Sequence, residues 1–522
     1  MKINIGFYDK AALIIIIIFV LISIIKINEP GVTSDQLLFV NAAIGPLDQS
    51  YIYKTIHGFP ILLMIYIGAL KSYIYKPIFY LFGVSIYSIR LPVILIMASA
   101  LYFLYKAICL KIDKKVAFFT ILILATDPSN IAYSRVDNGP TVLEFFFKCL
   151  SLFFVFFYFK VKKRKYLFFL ICSLGLGLFN KVNFIWFINS LFLSMLVFYR
   201  SRFMTKGKFH LSRENLTLII FYALFLCYSV FILRKATTNY SVEVISFSIT
   251  RLQDHITAVI NNFVNLLSGE SFFSSIYGKS PHHFTSIYSL TLIIVNCLGV
   301  IYFIKNRAKI SGEVTKFYFF ASLIFLSLLI QLFITSNAIS PWHTYSLYPF
   351  LTILTAIFLF ELQKTFLNKF KITYILLSCI ILYNIFTYSL YISAYIKPVN
   401  NLRWSDRFYE LVKFTDSYPG IVLVTDIGLQ ANLLTFSKNY KKYTPIEWMV
   451  ETGAYETYKS ALQGYFKRDP NILVIVTNYE MVIFKDVQPN YFRFIRDYKI
   501  NLSKIKEFKD GDKVVYTVYK LN

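Results

Sequence analysis

Long runs of apolar residues, separated by short polar connections, dominate the first 395 residues of the chain. A helix of about 17 to 25 apolar residues is long enough to cross a bilayer. The pattern predicts about eleven such crossings, at residues 11–27, 91–110, 116–133, 140–159, 166–180, 183–199, 216–233, 286–304, 317–334, 345–363 and 372–395. No small-residue cleavage site follows the first segment, which favours an uncleaved anchor over a signal peptide.

Two connections are much longer than the others. Residues 28–90 alternate apolar runs with Gly, Pro and scattered Lys. A twelfth crossing there would reverse the orientation of everything downstream, so we favour helices that lie in the membrane interface. Residues 248–269, inside the connection 234–285, carry apolar residues at helical spacing and predict an amphipathic surface helix or a flexible flap near the outer leaflet.

The pattern changes after residue 395. The runs at 421–426, 471–477 and 514–521 are short and β-branched, and helical patterns lie between them. Strands that alternate with helices indicate an α/β domain. We therefore predict a polytopic α-helical membrane domain over residues 1–395, followed by an extracytoplasmic α/β domain over residues 396–522.

Composition supports a membrane protein and gives its orientation. The chain is 57% hydrophobic with a mean hydropathy of +0.57, and its formal net charge of +26 raises the question of a nucleic-acid partner. However, Lys and Arg are concentrated in every second connection, at residues 1–10, 106–115, 160–165, 200–215, 305–316 and 361–371. By the positive-inside rule the N-terminus is cytoplasmic and the C-terminus is outside. Topology thus explains the charge, and nucleic acid is not an expected partner.

Cysteine and histidine give little sign of a metal site. All six cysteines lie in or at the ends of hydrophobic segments, without the spacing of a disulfide framework or a CxxC site. The pair His282 and His283, with Asp254 or His255, is weak evidence for a divalent metal. No cofactor is expected, and the metal alternative stays open.

The outward connections hold the residues that suit chemistry. Two acids follow helices closely, Asp35 in the tetrad of residues 33–36 and Asp137 in the second outer loop. The cations in the outer loops are Lys54, His57, Lys71, Arg135, Lys181 and His343. A carboxylate can accept a proton as general base, and cations neutralise the charge on a departing phosphate. This combination suits transfer from an amphiphilic phosphate donor.

Some charged residues and two other functions keep alternative interpretations. Glu144 and Lys148 stand four residues apart on one helix face and predict either a structural ion pair or a contact to a charged ligand. Lys181 fits either a functional cation or a side chain that snorkels to the interface. A transporter or flippase for a lipid-linked or anionic substrate is the second functional class, although most charges here gather at helix ends. A noncatalytic scaffold is the third.

The order of the motifs resembles the GT-C superfamily of integral membrane glycosyltransferases, in the branch of aminoarabinose transferases and protein O-mannosyltransferases. The resemblance covers about residues 1–390. It rests on SDQ around Asp35, GFPILLMIYIGALK and FGVSIYSIRLP before the second crossing, SRVDNGP, GLGLFNKVNF around Lys181, and HTYSLYPF. Two motifs depart from the family pattern. Gln36 stands where many relatives have Glu, and His57-Gly58-Phe59-Pro60 stands where aminoarabinose transferases have Glu-Lys-Pro-Pro.

The resemblance implies an inverting transfer of a sugar from a polyprenyl-phosphate carrier to a glycan, lipid or protein acceptor. Asp35 would be the base and Asp137 a supporting acid. Arg135, Lys181 and His343 would be candidates for the carrier phosphate, and the cation of the first outer loop would be Lys54, His57 or Lys71. The site would lie on the periplasmic face of the inner membrane.

Overall fold

Most of the chain is helical in the computed structural model. The structure describes residues 6–45, 52–200, 204–205, 208–209, 212–240, 249–335, 338–365, 372–451, 453–482 and 485–522. Eleven long or paired helical segments coincide with the eleven predicted apolar segments. They are α1 (Phe7–Ile24), α4 (Ile86–Cys109), α5 (Lys114–Thr126) with α6 (Pro128–Arg135), α7 (Thr141–Val161), α8 (Arg164–Asn180), α9 (Ile185–Phe198), α10 (Arg213–Tyr240), α13 (Thr285–Lys305), α14 (Gly312–Ile334), α15 (Pro341–Thr344) with α16 (Phe350–Thr365), and α17 (Ile372–Ala394).

Fewer helices than segments are long enough to span a bilayer unaided. Among the described residues, eight helices are long and apolar enough to cross a membrane, or nine if α5 and α6 form one span bent by 64°. The bend falls at Asp127-Pro128, where Asp127 caps α6 by accepting a hydrogen bond from the Asn130 amide. The polytopic helical fold is confirmed, whereas the count of eleven and the orientation stay predictions.

The connection 28–90 contains two short helices and a small sheet. The helices are α2 (Ser34–Ile44) and α3 (Leu70–Phe82), and the antiparallel strands are β1 (Lys54–Ile56), β2 (Phe59–Met64) and β3 (Ile67–Gly68). His57 and Gly58 join β1 to β2 with φ values of 47° and 77°, as a two-residue hairpin turn requires. The helices agree with the pattern, but the hairpin was not predicted. A second, two-stranded hairpin joins β4 (Met204–Thr205) to β5 (Lys208–Phe209).

The connection before α13 contains the predicted amphipathic helix. Helix α11 (Ile249–Leu267) fills nearly all of the predicted range, and a short helix α12 (Glu270–Tyr277) follows it. Residue 248 lies outside the described residues.

The C-terminal part contains a five-stranded mixed sheet in the order β7-β6-β8-β10-β9. Strands β6 (Val422–Val424), β7 (Tyr443–Pro445) and β8 (Leu473–Thr477) are parallel, and β10 (Lys513–Leu521) pairs antiparallel with β8 and β9 (Leu502–Asp510). The helices are α18 (Phe408–Asp416), α19 (Ile427–Phe436), α20 (Glu447–Val450), α21 (Tyr455–Arg468) and α22 (Val487–Asp497). The three predicted strand runs coincide with β6, β8 and β10, and the domain boundary at residue 396 stays a prediction.

This C-terminal part packs directly on α2. The Thr435 hydroxyl of α19 donates to the side-chain oxygen of Asn41, 2.7 Å away, and the Asn41 amide donates to the Ala431 carbonyl. Gly31, just before α2, donates its N–H to the Trp404 carbonyl at 2.8 Å. The loop and helix that carry Asp35 are therefore held between the membrane helices and the C-terminal sheet.

Candidate functional site

The site is built on the loop between α1 and α2, which two buried arginines hold in place. Arg90 in α4 was not among the predicted site residues. It donates to four carbonyl oxygens and one amide oxygen, those of Ile27 (2.6 Å), Glu29 (3.2 Å), Pro30 (2.7 Å), Gly31 (3.3 Å) and Gln36 (3.4 Å). These bonds satisfy backbone acceptors that the non-helical loop leaves open. The loop that leads into Asp35 is thus rigidly anchored.

Arg135 holds the same loop from α6. Its guanidinium donates to the carbonyls of Ile25 (2.7 Å), Lys26 (2.6 Å) and Glu29 (2.9 Å) and to the Tyr388 hydroxyl (2.9 Å). It is 1% exposed and lies over the Tyr395 ring. These contacts indicate a structural role, in which Arg135 anchors the loop between α1 and α2. The phosphate-binding role proposed for Arg135 stays a prediction that they do not support.

Helix α2 begins with a capping box that orients Asp35. Thr33 is the N-cap, and its backbone N–H donates to the side-chain oxygen of Gln36 at 3.4 Å. The Thr33 hydroxyl donates to the side-chain oxygen of Asn138, 3.1 Å away, in the second outer loop. Gln36 serves the cap and Arg90 and is buried, whereas the neighbouring Asp35 side chain is exposed. This gives a local reason for glutamine at position 36.

Asp35 is the accessible carboxylate of this arrangement. Its side chain is exposed, although α2 is otherwise largely buried. The surrounding protein displaces solvent and raises the pKa of the Asp35 carboxyl above its usual range. The positive charges of Lys181 and Arg403 have the opposite effect and offset part of this increase. A carboxyl with a raised pKa that stays open to solvent is a stronger base than an ordinary aspartate.

Asp137 and Lys71 form a buried ion pair. The Lys71 Nζ lies 2.8 Å from Asp137 Oδ2 and donates to the Gly139 carbonyl at 3.0 Å, and both side chains are 3% exposed. Asp137 Oδ1 accepts a hydrogen bond from the Val142 amide. Burial raises the pKa of Asp137 and lowers that of Lys71, and the contact between them opposes both shifts. The pair fixes the second outer loop on α3, and the roles predicted for both residues in substrate binding stay untested.

Lys181 is a buried cation at the junction of α8 and α9. The backbone around it is fixed by the β3 hairpin, since the Val182 N–H donates to the Tyr66 carbonyl at 3.0 Å. Lys181 is 6% exposed, and among the described contacts its ammonium has no hydrogen-bond or ion-pair partner. Burial lowers its pKa, while Glu144, Asp35 and Asp137 raise it. A cation held without a partner, within electrostatic range of Asp35, is suited to receive an anionic ligand.

His343 and Glu144 lie within electrostatic range of Lys181. The His343 ring packs near Trp186 and Trp342, and its buried Nδ1 has no hydrogen-bond partner among the described residues.

Lys148 and Glu144, four residues apart on α7, form no ion pair within 4.0 Å among the described residues. Lys148 donates instead to the carbonyls of Ser346 (2.8 Å) and Tyr348 (2.9 Å). Glu144 lies within electrostatic range of both Lys148 and Lys181.

An apolar groove of about 400 Å³ opens beside the same end of α8. Its walls come from the β1–β2 hairpin, α8 and α10, including Ile61, Gly175, Phe179, Phe225 and Ile232. Two lysines, Lys54 and Lys235, also line it. Phe179 precedes Lys181 by two residues, so the groove leads along the helix that presents the buried cation. This arrangement suits an amphiphile with a long apolar chain and an anionic head.

His57 lies exposed at the tip of the β1–β2 hairpin. No described contact links it to Asp35 or Lys181, and its predicted role stays untested. The described residues contain no group of three or more His, Cys, Asp and Glu side chains placed to hold a metal ion. His282 Nε2 instead contacts the Thr387 hydroxyl, and His255 Nε2 contacts the Leu332 carbonyl.

Sequence reasoning missed Arg90 and Arg403. Arg90 lies in the quoted run FGVSIYSIRLP, where a charge inside an otherwise apolar helix was a usable signal. Arg403 lies in the C-terminal part, whose sequence has no recognisable motif there.

Known proteins resemble the chain in part of its sequence and in its fold. A family model described as dolichyl-phosphate-mannose-protein mannosyltransferase matches residues 69–239. ArnT from Cupriavidus metallidurans in the apo state has a TM-score of 0.58 at 11% identity, and the same protein bound to undecaprenyl phosphate has 0.56 at 10%; each comparison covers 97% of both chains. Archaeal oligosaccharyltransferase AglB from Archaeoglobus fulgidus, in complex with an inhibitory peptide and a dolichol-phosphate, has 0.50 at 12%, over 98% of this chain and 74% of that one. No curated protein sequence matches the chain.

The matched segment includes α4, both outer loops around Asp137 and Lys181, and the groove walls of α8 and α10. The whole-chain likeness adds the fold around them. The family match over residues 69–239 and the shared fold together confirm the resemblance seen in the sequence, which is to membrane glycosyltransferases of the GT-C superfamily.

Proposed function

We propose that the chain is an inverting glycosyltransferase that moves a sugar from a polyprenyl-phosphate donor to an acceptor at the periplasmic face of the inner membrane. One observation carries the proposal. The accessible Asp35 carboxylate lies within electrostatic range of the partner-free Lys181, and Lys181 follows directly on the helix that lines the apolar groove.

The donor fits this arrangement in two parts. The polyprenyl chain occupies the groove between α8 and α10, where burial of apolar surface contributes about 25 cal/mol per Å². The phosphate lies at Lys181, with Lys54 and Lys235 at the groove. The ArnT structure bound to undecaprenyl phosphate and the AglB structure bound to a dolichol-phosphate support a donor of this chemistry.

Asp35 then acts as the general base. The acceptor hydroxyl oxygen attacks the anomeric carbon, and the bond from that carbon to the phosphate oxygen breaks. The acceptor proton passes to Asp35, while the bonding electron pair stays on the carrier phosphate. Lys181 neutralises the charge that develops there, as electrostatic stabilisation requires. The acceptor is a glycan, a lipid such as lipid A, or a protein.

The experiment compares wild type with Asp35→Asn in transfer from undecaprenyl-phosphate mannose and other undecaprenyl-phosphate sugars to acceptors in vesicles from cells that lack the gene. Loss of the base lowers the transfer rate about 10²- to 10⁴-fold. The matched control is Asp512→Asn, which changes an exposed aspartate in the turn between β9 and β10. Full activity of a folded Asp35→Asn variant would exclude Asp35 as the base.

The membrane side is tested separately by single cysteines in a variant that lacks the six native ones. Replacements at Asp512 and Lys309 place one thiol in the C-terminal part and one in a connection predicted to be cytoplasmic. A membrane-impermeant maleimide added outside intact spheroplasts labels only position 512 if the orientation is correct. Labelling of only position 309 reverses it.

A further inference from the structure

Arg403 is placed at the site by the C-terminal part of the chain. It lies in a single turn of 3-10 helix, Leu402–Trp404, in which both neighbours are buried and Arg403 is exposed. The turn is fixed on one side by the hydrogen bond from Gly31 to the Trp404 carbonyl, two residues before the Thr33 cap. On the other side, the Asn401 amide donates to the Ser275 carbonyl at 3.1 Å.

The guanidinium of Arg403 is oriented but only partly used. Its Nε donates to the Met481 carbonyl at 3.2 Å, and among the described contacts neither Nη nitrogen has a partner. Arg403 and Lys181 are the two cations that act on the Asp35 carboxyl. A guanidinium fixed through Nε presents its two free Nη groups as a planar fork, which matches a phosphate or carboxylate.

The two cations come from different parts of the chain, Lys181 from the membrane part and Arg403 from the C-terminal part. Lys181 follows the groove helix α8, whereas no described residue after 395 lines the groove. If the carrier phosphate lies at Lys181, Arg403 is left for the second substrate. We propose that Arg403 is an acceptor-binding residue, which holds an anionic group of the acceptor, a phosphate or a carboxylate, in front of Asp35. This inference rests on the proposed function for the position of the carrier phosphate and for the identity of the second substrate.

A binding experiment tests the anion site without requiring transfer. Full-length purified protein is titrated with glucose 6-phosphate, glucuronate and glucose, and the fluorescence of the protein, including the neighbouring Trp404, is followed. Wild type and Arg403→Lys are expected to bind one of the anionic probes about tenfold or more tightly than glucose, as a charge-assisted hydrogen bond allows. Arg403→Gln loses that preference, and the probe that wild type prefers distinguishes phosphate from carboxylate.

The controls separate this inference from a structural role of Arg403. Arg496→Gln removes an exposed arginine of α22 and keeps the preference. Undecaprenyl phosphate binds Arg403→Gln and wild type equally, whereas Lys181→Gln binds it more weakly. Equal binding of all three probes by wild type, or an unchanged preference in Arg403→Gln, overturns the inference.

The transfer assay gives the second readout and shows which proposal has failed. With vesicle acceptor, Arg403→Gln raises the apparent KM for acceptor about 10- to 100-fold while kcat changes less, and Arg403→Lys recovers part of the loss. An unchanged KM overturns the inference. A wild type that binds the anionic probe at Arg403 but transfers no sugar sinks the proposed function and leaves the anion site established.

Discussion

At the scale of single residues, Asp35 combines solvent access with a raised pKa. The two properties are compatible because the carboxyl lies where protein surrounds it closely while one side stays open. Lys181 and Arg403 limit the increase in the pKa of Asp35, since a nearby cation favours the charged carboxylate. The Asp35 carboxylate is therefore more basic than that of an ordinary aspartate.

The first prediction concerns pH. A base must be unprotonated to accept a proton. The transfer rate is therefore at its full value above the pKa of Asp35 and falls as the pH drops through that pKa. Because the pKa is raised, the loss begins at a higher pH than for an aspartate of about 3.9. In Lys181→Gln one cation that lowers this pKa is gone, and the acid limb of kcat moves to still higher pH. The measurement is kcat against pH at saturating donor.

The control for this profile is Lys279→Gln, which removes an exposed lysine outside the site. Its acid limb coincides with that of wild type. An acid limb that stays in place in Lys181→Gln would show that Asp35 is not the group that titrates.

The second prediction separates the two aspartates. Asp137→Asn leaves the Lys71 ammonium buried without its carboxylate partner at 2.8 Å. Removal of one partner of a buried ion pair costs about 3–5 kcal/mol in the free energy of unfolding. We expect a clear drop in thermal stability in detergent, whereas Asp35→Asn, at an exposed side chain, unfolds at the wild-type temperature.

The double variant Lys71→Met with Asp137→Leu completes this test. Replacement of both charges by apolar groups removes the unpaired charge and regains most of the lost stability. If Asp137→Asn is as stable as wild type and only its activity falls, the ion pair is not structural and Asp137 acts directly on substrate.

At the scale of elements, the sequence predicts the helices and strands that have a local pattern, but not the features that depend on contacts between residues distant in the sequence. The membrane helices could be predicted because the length of an apolar run is a local property of the sequence. Strands β6, β8 and β10 could be predicted for the same reason, since a run of β-branched residues is also local. The β1–β2 hairpin was missed, since its turn is His57-Gly58 and its short strands carry Lys54 and Pro60. The partners of Arg90, Arg135 and Lys71 could not be predicted, because these hydrogen bonds join residues that are 54 to 253 positions apart in the sequence.

The apolar groove gives the third prediction. A side chain larger than alanine at Gly175 of α8 projects toward Phe225, whose ring would lie 3.6 Å from an added Cβ. Gly175→Leu therefore fills part of the groove and weakens inhibition by undecaprenyl phosphate about tenfold, while inhibition by the much shorter farnesyl phosphate changes less. Gly464→Leu in α21 is the control, since an added Cβ there meets nothing within 4 Å. Equal loss for both lipids would place the polyprenyl chain elsewhere.

At the scale of the whole molecule, the C-terminal part packs against the helix and loop that carry Asp35. It contacts α2 through Asn41 and Thr435, contacts the preceding loop through Gly31 and Trp404, and contributes Arg403. The membrane part supplies the groove and Lys181. Asp35 is thus held at the junction of the two parts, and the distance between them affects both its orientation and its electrostatic surroundings.

The fourth prediction tests this junction with a single methyl group. A Cβ at Gly31 would lie 2.4 Å from the Ser405 carbonyl oxygen and 2.7 Å from that of Trp404, both backbone atoms that cannot rotate away. Gly31→Ala therefore moves the Leu402–Trp404 turn off the loop. We expect transfer to fall about tenfold or more, with a raised KM for acceptor and unchanged binding of undecaprenyl phosphate. Gly312→Ala, where an added Cβ meets nothing within 4 Å, keeps full activity. Wild-type kinetics in Gly31→Ala would show that the membrane part works without this contact, because a displacement of about 1 Å at a catalytic junction is otherwise enough to slow the reaction.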